Sequence, residues 1–358
     1  MTFEVRPSQT LQPDSVRTAA VTAPVLGEAY TDHVARATWT TERGWHDHAI
    51  TALEPMSMHP AAGVLHYAQE IFEGLKAYRR ADGGVQVFRP DRNAARFARS
   101  AVRLDMPPLP EADFVESVLR LVEIDQAWVP DSAGEQSLYI RPFMIADETF
   151  LGVRAARRYS YLVVMTPAGP YYPEPVTLWV TPSFTRAAPG GTGAAKCGGN
   201  YAASLAAARE AHEHGCGQVL WLDGAEHRWV EECGTMNILF VTAAGELLTP
   251  SLTDTILDGV TRDSLLTLAS EHGLTPVERR IEFAEVAQGV RDGSITEALA
   301  CGTAAVVTPI TGFATPSGDR LVVGDGTPGP ATTALRTHLV DIQLGQAPDP
   351  YGWVVPVG

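Results

Sequence analysis

Positive charge is scarce in this 358-residue chain: 27 lysines and arginines stand against 42 aspartates and glutamates, a formal net charge of -15. A sequence-independent grip on nucleic acid or an anionic membrane needs clustered Lys and Arg, so neither partner is expected. Long apolar runs are also missing. No stretch approaches the roughly 20 residues of a membrane span. The opening MTFEVRPSQTLQPDS has no charged region followed by an apolar signal core, and the expectation is a cytoplasmic protein. Cysteine is rare. Cys197, Cys216, Cys233 and Cys301 are widely spaced without a CxxC pair, which suits a reducing compartment and small buried side chains. The pairs His46 with His48 and His212 with His214 lack a third ligand at metal spacing, so no metal site is expected. No repeat or low-complexity segment is present.

What remains is an ordinary globular composition, 45% hydrophobic and 19% charged, long enough for two domains with substantial cores. Residues 1–24, rich in Pro, Ser, Thr and Gln, read as a loose arm. The four prolines and one glycine of TPAGPYYPEP cannot continue a helix or a sheet, which places an interdomain linker at 166–176. A first domain over 25–165 and a second over 177–358 follow.

The chain is organised around FTRAAPGGTGAAKCGGNY, residues 184–201, in which Lys196 sits among Gly190, Gly191, Gly193, Gly198 and Gly199. Such glycines let a backbone approach a ligand closely. A lysine there is a candidate nucleophile, because burial or a neighbouring cation lowers an amine's pKa and lets it form a Schiff base with a carbonyl. Phosphate-loop readings fail on spacing. Ala195 and Cys197 flank the lysine where a P-loop needs Gly and Ser or Thr, and Lys196 itself holds the third glycine position of a dinucleotide fingerprint. A solvated surface loop is the alternative.

Other stretches supply candidate partners. RPDRNAARFARSAVRLDMP reads as a helix carrying Arg92, Arg96, Arg99 and Arg103 at spacings of three and four, a solvated face unless one arginine turns inward to bind phosphate. Tyr67, Phe72 and Tyr78 fall close together, as core or as a pocket wall. Residues 111–129 carry a helical apolar stripe. The strand SLYIRPFMIA, 137–146, puts Tyr139 and Arg141 on one face, able to receive a carboxylate or to face water. A helix is expected from Tyr201 to His214, capped by Asn200 and closed by Gly215. Beyond it, EECGTMNI places Glu231 and Glu232 at a strand end, and LDGVTR feeds a helix that stops at Gly273.

Taken in order, HYAQEIFEGLKAYR, SLYIRPF, Lys196 with Tyr201 five residues on, EECGTMNI, LDGVTR and CGTAAVVTP resemble the branched-chain amino-acid aminotransferases, pyridoxal-phosphate enzymes of fold type IV, across roughly residues 25–355. The resemblance implies an α+β protein of two domains, a small α/β domain and a larger mixed β-barrel-like domain, working as a homodimer on small molecules. It implies transamination of leucine, isoleucine and valine with 2-oxoglutarate. Lys196 would form the Schiff base with pyridoxal 5'-phosphate and move the Cα proton. Glu232 would keep the pyridine nitrogen protonated, and Tyr201 would donate to the phenolic oxygen. Arg96, Val260, Thr261 and Thr303 would hold the phosphate. For the substrate, Thr303 and Ala304 would meet the α-carboxylate and Arg141 the side-chain carboxylate of glutamate, while Tyr67, Phe72, Tyr139 and Tyr172 would line the apolar part. Ala305 and Thr308 stand where animal members carry a CxxC pair, so thiol switching is not expected. The alternatives within the fold are a D-amino-acid aminotransferase or an aminodeoxychorismate lyase. A cofactor-free Schiff-base aldolase or decarboxylase is the alternative outside it.

Overall fold

The computed structural model describes residues 2–131, 133–172 and 174–358. Met1, in the expected arm, Ser132 and Pro173, in the expected linker, lie outside the described residues. The chain divides into two compact units.

In the first unit a nine-stranded sheet is built from β1 (Glu4–Val5), β2 (His33–Thr40), β3 (Gly44–Ala52), β4 (Glu70–Phe72), β5 (Leu75–Arg79), β6 (Val85–Phe88), β7 (Ser137–Ala146) and β8 (Arg158–Ala168), with one more strand from the C-terminus. Helices α1 (Asp14–Thr22), α2 (Gly63–Tyr67), α3 (Pro90–Arg103) and α4 (Glu111–Ile124) accompany it. The amphipathic faces of α3 and α4 cover the sheet at Tyr161 of β8. Phe97 and Phe114 pack 5.3 Å apart, Phe97 lies 5.6 Å from the Tyr161 ring, and Ser117 Oγ is 2.9 Å from its hydroxyl. The apolar stripe expected over 111–129 is buried, but α4 ends at Ile124. A short 3₁₀ turn, Gln126–Trp128, follows, where Trp128 Nε1 donates to Asp32 Oδ2 at 2.8 Å.

The second unit contains β9 (Val176–Val180), α5 (Gly198–Ala202), α6 (Leu205–Glu213), β10 (Gln218–Leu222), β11 (Val230–Cys233), β12 (Met236–Thr242), β13 (Glu246–Pro250), α7 (Val260–Leu268), β14 (Thr275–Arg279), α8 (Phe283–Asp292), β15 (Ile295–Gly302), β16 (Val306–Ala314) and β17 (Arg320–Val322). Six of these strands close into a barrel in the order β11, β10, β9, β16, β15, β12 and back to β11. Closure removes the exposed edges, and the interior fills with Leu178, Leu220, Ile238, Phe240, Ala300 and Phe313. Helix α9 (Pro330–Leu344) then leads to β18 (Val354–Val357), the ninth strand of the first sheet.

Three expectations are corrected. The N-terminal segment is tied down: β1 pairs with β3, the Phe3 ring is buried against His48, and Gln12 N donates to Asp32 Oδ1 at 2.7 Å. One apolar anchor and these backbone bonds outweigh the polar composition. The units are not contiguous stretches either. The first comprises Met1–Tyr171, Ala195–Gly198 and Asp341–Gly358, the second Tyr172–Ala194 and Gly199–Val340. The excursions follow from pairing, because β18 lies along β6 and Phe72 N donates to Lys196 O at 3.0 Å. The helix expected from Tyr201 to His214 is two helices. The Asn200 side chain does not cap it. It exchanges hydrogen bonds with Thr192, whose Oγ1 donates to Oδ1 and whose carbonyl accepts from Nδ2, both at 2.8 Å. Ser204 Oγ turns back to Tyr201 O at 2.7 Å where α5 stops.

Candidate active site

In the first unit the site is built on β4, β7 and the segment around Lys196. Alternation along β4 turns Glu70 and Phe72 to one side and Ile71 and Glu73 to the other. Phe72 N–H binds Lys196 O on one edge, while Glu73 N donates to Pro142 O of β7 at 2.7 Å on the other. Lys196 N donates in turn to Ser100 Oγ of α3 at 3.0 Å. The lysine is thus held by its backbone, and its Nζ lies 4.8 Å from the centre of the Phe72 ring. Gly198 is where a side chain would collide: its N–H binds Glu70 Oε1, and a Cβ would overlap that oxygen.

One turn before Ser100, Arg96 makes a two-pronged bond to Glu73, Nε to Oε1 at 2.7 Å and Nη2 to Oε2 at 2.8 Å, with Asn93 Nδ2 on Oε2 at 2.8 Å. Arg96 is buried whereas Arg92, Arg99 and Arg103 are not, so one arginine of the basic helix turns inward. Burial opposes ionisation of Glu73, which is wholly enclosed, yet Arg96, Lys196 and Asn93 together hold its carboxyl below the usual range. Burial and then the Arg96 charge bring the Lys196 amine down to about 8, with Glu73 opposing.

This value carries a prediction. The amine is protonated below about 8 and a nucleophile above it. Capture of a small neutral aldehyde by the apoprotein, trapped with cyanoborohydride and followed by mass at Lys196, is expected to rise through a pH near 8 in the folded protein. The same profile in the denatured chain should move up to the ordinary lysine range. A folded-state midpoint equal to the denatured one would contradict the lowering.

Arg141 and Tyr139 do share a face of β7. Arg141 Nη2 donates to Tyr139 Oη at 2.9 Å, and the guanidinium lies 4.7 Å from the Phe72 ring centre and 5.3 Å from that of Tyr139. Its Nε is buried without a hydrogen-bond partner among the described residues. These side chains line a cavity of about 530 Å³ with Leu26, Tyr30, Glu70 and Phe143. Tyr67 does not join them there; it is 41% exposed and packs against Phe150.

In the second unit alternation separates the two adjacent glutamates of β11. Glu232, 2% exposed, accepts from Leu257 N at 2.6 Å through Oε1 and meets Arg186 Nε at 2.8 Å through Oε2. Arg186 is fixed by its bonds to Thr255 O, 2.6 Å, and Gly193 O, 3.2 Å. Glu231 accepts instead from Thr255 Oγ1 at 2.5 Å, and burial, aided by the charge of Glu232, raises its carboxyl to about 7. Opposite Glu232 on β12 stands Asn237, itself opposite Cys301 of β15. Asn237 Nδ2 donates to Leu257 O at 2.9 Å, and its Oδ1 leaves no room for a Cβ at Gly259, the residue that opens α7. The register therefore gathers Glu232, the start of α7 with Val260 and Thr261, and the turn after β15 with Thr303 and Ala304. The N-cap of α7 is Gly259, which has no side chain to cap the helix, and the dipole of a helix start suits an anion. The turn after β15 enters β16 through a strained residue, the β-branched Val306 at φ 57°. Tyr201 is half-buried in α5, and Tyr172 accepts from Gln218 Nε2 at 3.1 Å.

The family model for amino-transferase class IV matches residues 70–313. The chain belongs to the class IV aminotransferases. Among curated relatives of this family it is 50% identical over 356 residues, 99% of this chain and 98% of the relative, to a probable branched-chain-amino-acid aminotransferase of Streptomyces coelicolor. The crystal structure of the branched-chain amino acid aminotransferase of Escherichia coli matches it with a TM-score of 0.74 at 27% identity, covering 90% of this chain and 100% of that one. That of the T.th. enzyme with pyridoxamine 5'-phosphate gives 0.73 at 28%, covering 90% and 99%. The expected fold class, type IV with an α/β unit and a mixed β-barrel-like unit, agrees with these structures.

Reasoning from sequence missed Glu73, Ser100 and Arg186. Each acts through a partner far along the chain, and nothing local marks it; Glu73 in FEGLKAYR and Arg186 at the head of the glycine-rich loop lie inside motifs already singled out. All four cysteines are free and buried, with Cys301 raised to about 12 by burial. No group of three or more His, Cys, Asp or Glu that could hold a metal occurs among the described residues, and no helix there is long and apolar enough to cross a membrane.

Proposed function

We propose that this chain is a branched-chain amino-acid aminotransferase dependent on pyridoxal 5'-phosphate, exchanging the amino group between leucine, isoleucine or valine and 2-oxoglutarate. The observation that carries the reading is the first-unit cavity. Aromatic and aliphatic walls suit a branched side chain, and one guanidinium with an unpartnered Nε suits the second carboxylate of glutamate. The 50% identity to the Streptomyces relative supports the same substrate class over a D-amino-acid aminotransferase or a lyase.

The residues present fit the cofactor. A lysine of lowered pKa suits its aldehyde, the buried Arg96 and the glycine-headed start of α7 suit its phosphate, and the buried Glu232 suits a ring N–H. When bound, pyridoxal phosphate supplies an aldehyde carbon that accepts the amino group and a ring that draws electron density from Cα. Lys196 Nζ takes the Cα proton and returns it, which its lowered pKa permits near neutral pH. Glu232 would accept the ring N–H, its carboxylate oriented by Arg186 and Leu257 N. Tyr201 would donate its hydroxyl to the ring's phenolic oxygen. Val260 and Thr261 would offer backbone N–H groups, Thr303 its hydroxyl and Arg96 its guanidinium to the phosphate. Thr303 and Ala304 would meet the α-carboxylate, while Phe72 and Tyr139 line the apolar wall, from which Tyr67 is turned away against Phe150. The working form is a cytoplasmic homodimer. A fully active monomer in sedimentation velocity would contradict that assembly.

The test of substrate class is Arg141→Ala. A glutamate side-chain carboxylate loses its hydration in this cavity unless a cation replaces it, and leucine needs no such partner. Single-turnover rates, followed by cofactor absorbance with each substrate alone, should fall more for glutamate and 2-oxoglutarate than for leucine, by about 2 kcal/mol or more in discrimination. Equal losses would mean that Arg141 holds the shared α-carboxylate or the pocket's shape. No absorbance change with any branched-chain amino acid would sink the reading itself.

A further inference from the structure

Glu70 is a second charged group in the cavity of Arg141, and the roles set out above leave it unused. We propose that the Glu70 carboxyl sets the balance between apolar and dicarboxylic substrates, by competing with the substrate's side-chain carboxylate for Arg141 and taking up a proton when a dicarboxylate enters. The proposal rests on the reading of this cavity as the substrate side-chain pocket.

The placement is specific. Three-residue β4 is stitched to β7 with Glu70 opposite Ile145 and Phe72 opposite Phe143. Alternation therefore sends the Glu70 carboxyl to the side of the Phe72 ring, which carries Lys196 Nζ and the Arg141 guanidinium over it. Glu70 Oε1 is seated against the backbone N–H of Gly198, two residues beyond Lys196, where only glycine leaves room. The side chain is thus fixed by the same segment that fixes the lysine.

The titratable and charged groups facing Glu70 are few. Arg141 and Tyr139 come from β7, Tyr30 from the segment before β2, and Lys196 from the loop. Burial raises the Glu70 carboxyl above the ordinary range, while the Gly198 N–H and the Arg141 charge pull it back. With an apolar side chain in the cavity, Glu70 and Arg141 offset one another. A glutamate side chain brings a second carboxylate to the same guanidinium. Two carboxylates about one cation repel, and the cheaper arrangement protonates one of them. Glu70, already raised by burial, is the one that takes the proton from solvent.

The test uses the holoenzyme and two unreactive acids, glutarate as the dicarboxylate and 4-methylpentanoate as the branched apolar acid. Calorimetric titration in buffers of different ionisation heat, near neutral pH, counts the protons taken up on binding. Glutarate is expected to bring in a substantial fraction of a proton beyond 4-methylpentanoate in the wild type, and Glu70→Gln is expected to remove that difference. The amide of the variant can still accept from Gly198 N–H. Its ratio of glutarate to 4-methylpentanoate affinity should rise by roughly tenfold and lose most of its dependence on pH. No excess proton with glutarate in the wild type, or the same excess in Glu70→Gln, would overturn the proposal without needing the variant's activity. If neither acid competes with leucine, the pocket reading fails instead.

Discussion

Turnover is expected to vanish in Lys196→Ala, by on the order of 10⁴-fold or more, because one substitution removes both the attachment point of the cofactor and the base that moves the Cα proton. The fold should survive. The backbone bonds that hold this segment, Lys196 N–H to Ser100 Oγ and Phe72 N–H to Lys196 O, do not involve the side chain. The sign of the stability effect follows from the lowered pKa. Between about 8 and the ordinary lysine range the unfolded chain binds more protons at this amine than the folded chain does, so its contribution to stability rises with pH across that window. Below the window the enclosed ammonium opposes folding. At neutral pH the Lys196→Ala apoprotein should therefore melt no lower than wild-type apoprotein. Cofactor should still bind through Arg96 and the start of α7. Single-turnover absorbance with leucine, read beside a calorimetric melt, separates the chemical loss from a folding defect; turnover within tenfold of wild type would remove Lys196 from the mechanism.

Glu232→Gln is the second large effect. A neutral amide cannot hold the ring nitrogen protonated, and losing one electrostatic partner of this kind costs on the order of 10²- to 10³-fold in rate. A stability cost comes with it. Arg186 has its Nε on Glu232 Oε2 and its remaining donors on Thr255 O and Gly193 O. An amide would leave that buried guanidinium without its directly paired carboxylate, about 3 kcal/mol by analogy with other broken buried pairs. The variant should form, melt lower and react slowly. The cofactor's absorbance on mixing with leucine reports the rate. Near wild-type rates would show that Glu232 does not meet the ring nitrogen. Glu231 is no substitute, since its Oε1 is bound by Thr255 and alternation turns it to the opposite side of β11.

Much of this architecture is written locally. The alternation of SLYIRPFMIA becomes β7 with Tyr139 and Arg141 hydrogen-bonded on one face, and Gly259 opens α7 where LDGVTR places a turn before a helix. What is not legible depends on approach in space. Spacing along α3 leaves open which of its arginines turns inward, because the choice is made by Glu73, which arrives from β4. The break between α5 and α6 falls where Ser204 Oγ turns back to Tyr201 O, a local bond that has no signature in the run of good helix formers around it. The N-terminal segment is ordered by the ring of Phe3, a single residue in a stretch whose composition otherwise argues for disorder.

The central claim, that Lys196 carries the cofactor, has an unusually clean test because the chain contains two lysines, Lys76 and Lys196. Holoenzyme is reduced with borohydride, digested and mapped by mass spectrometry. A phosphopyridoxyl group on Lys196, with Lys76 unmodified, is the expected result; the group on Lys76, or on neither lysine, would contradict it.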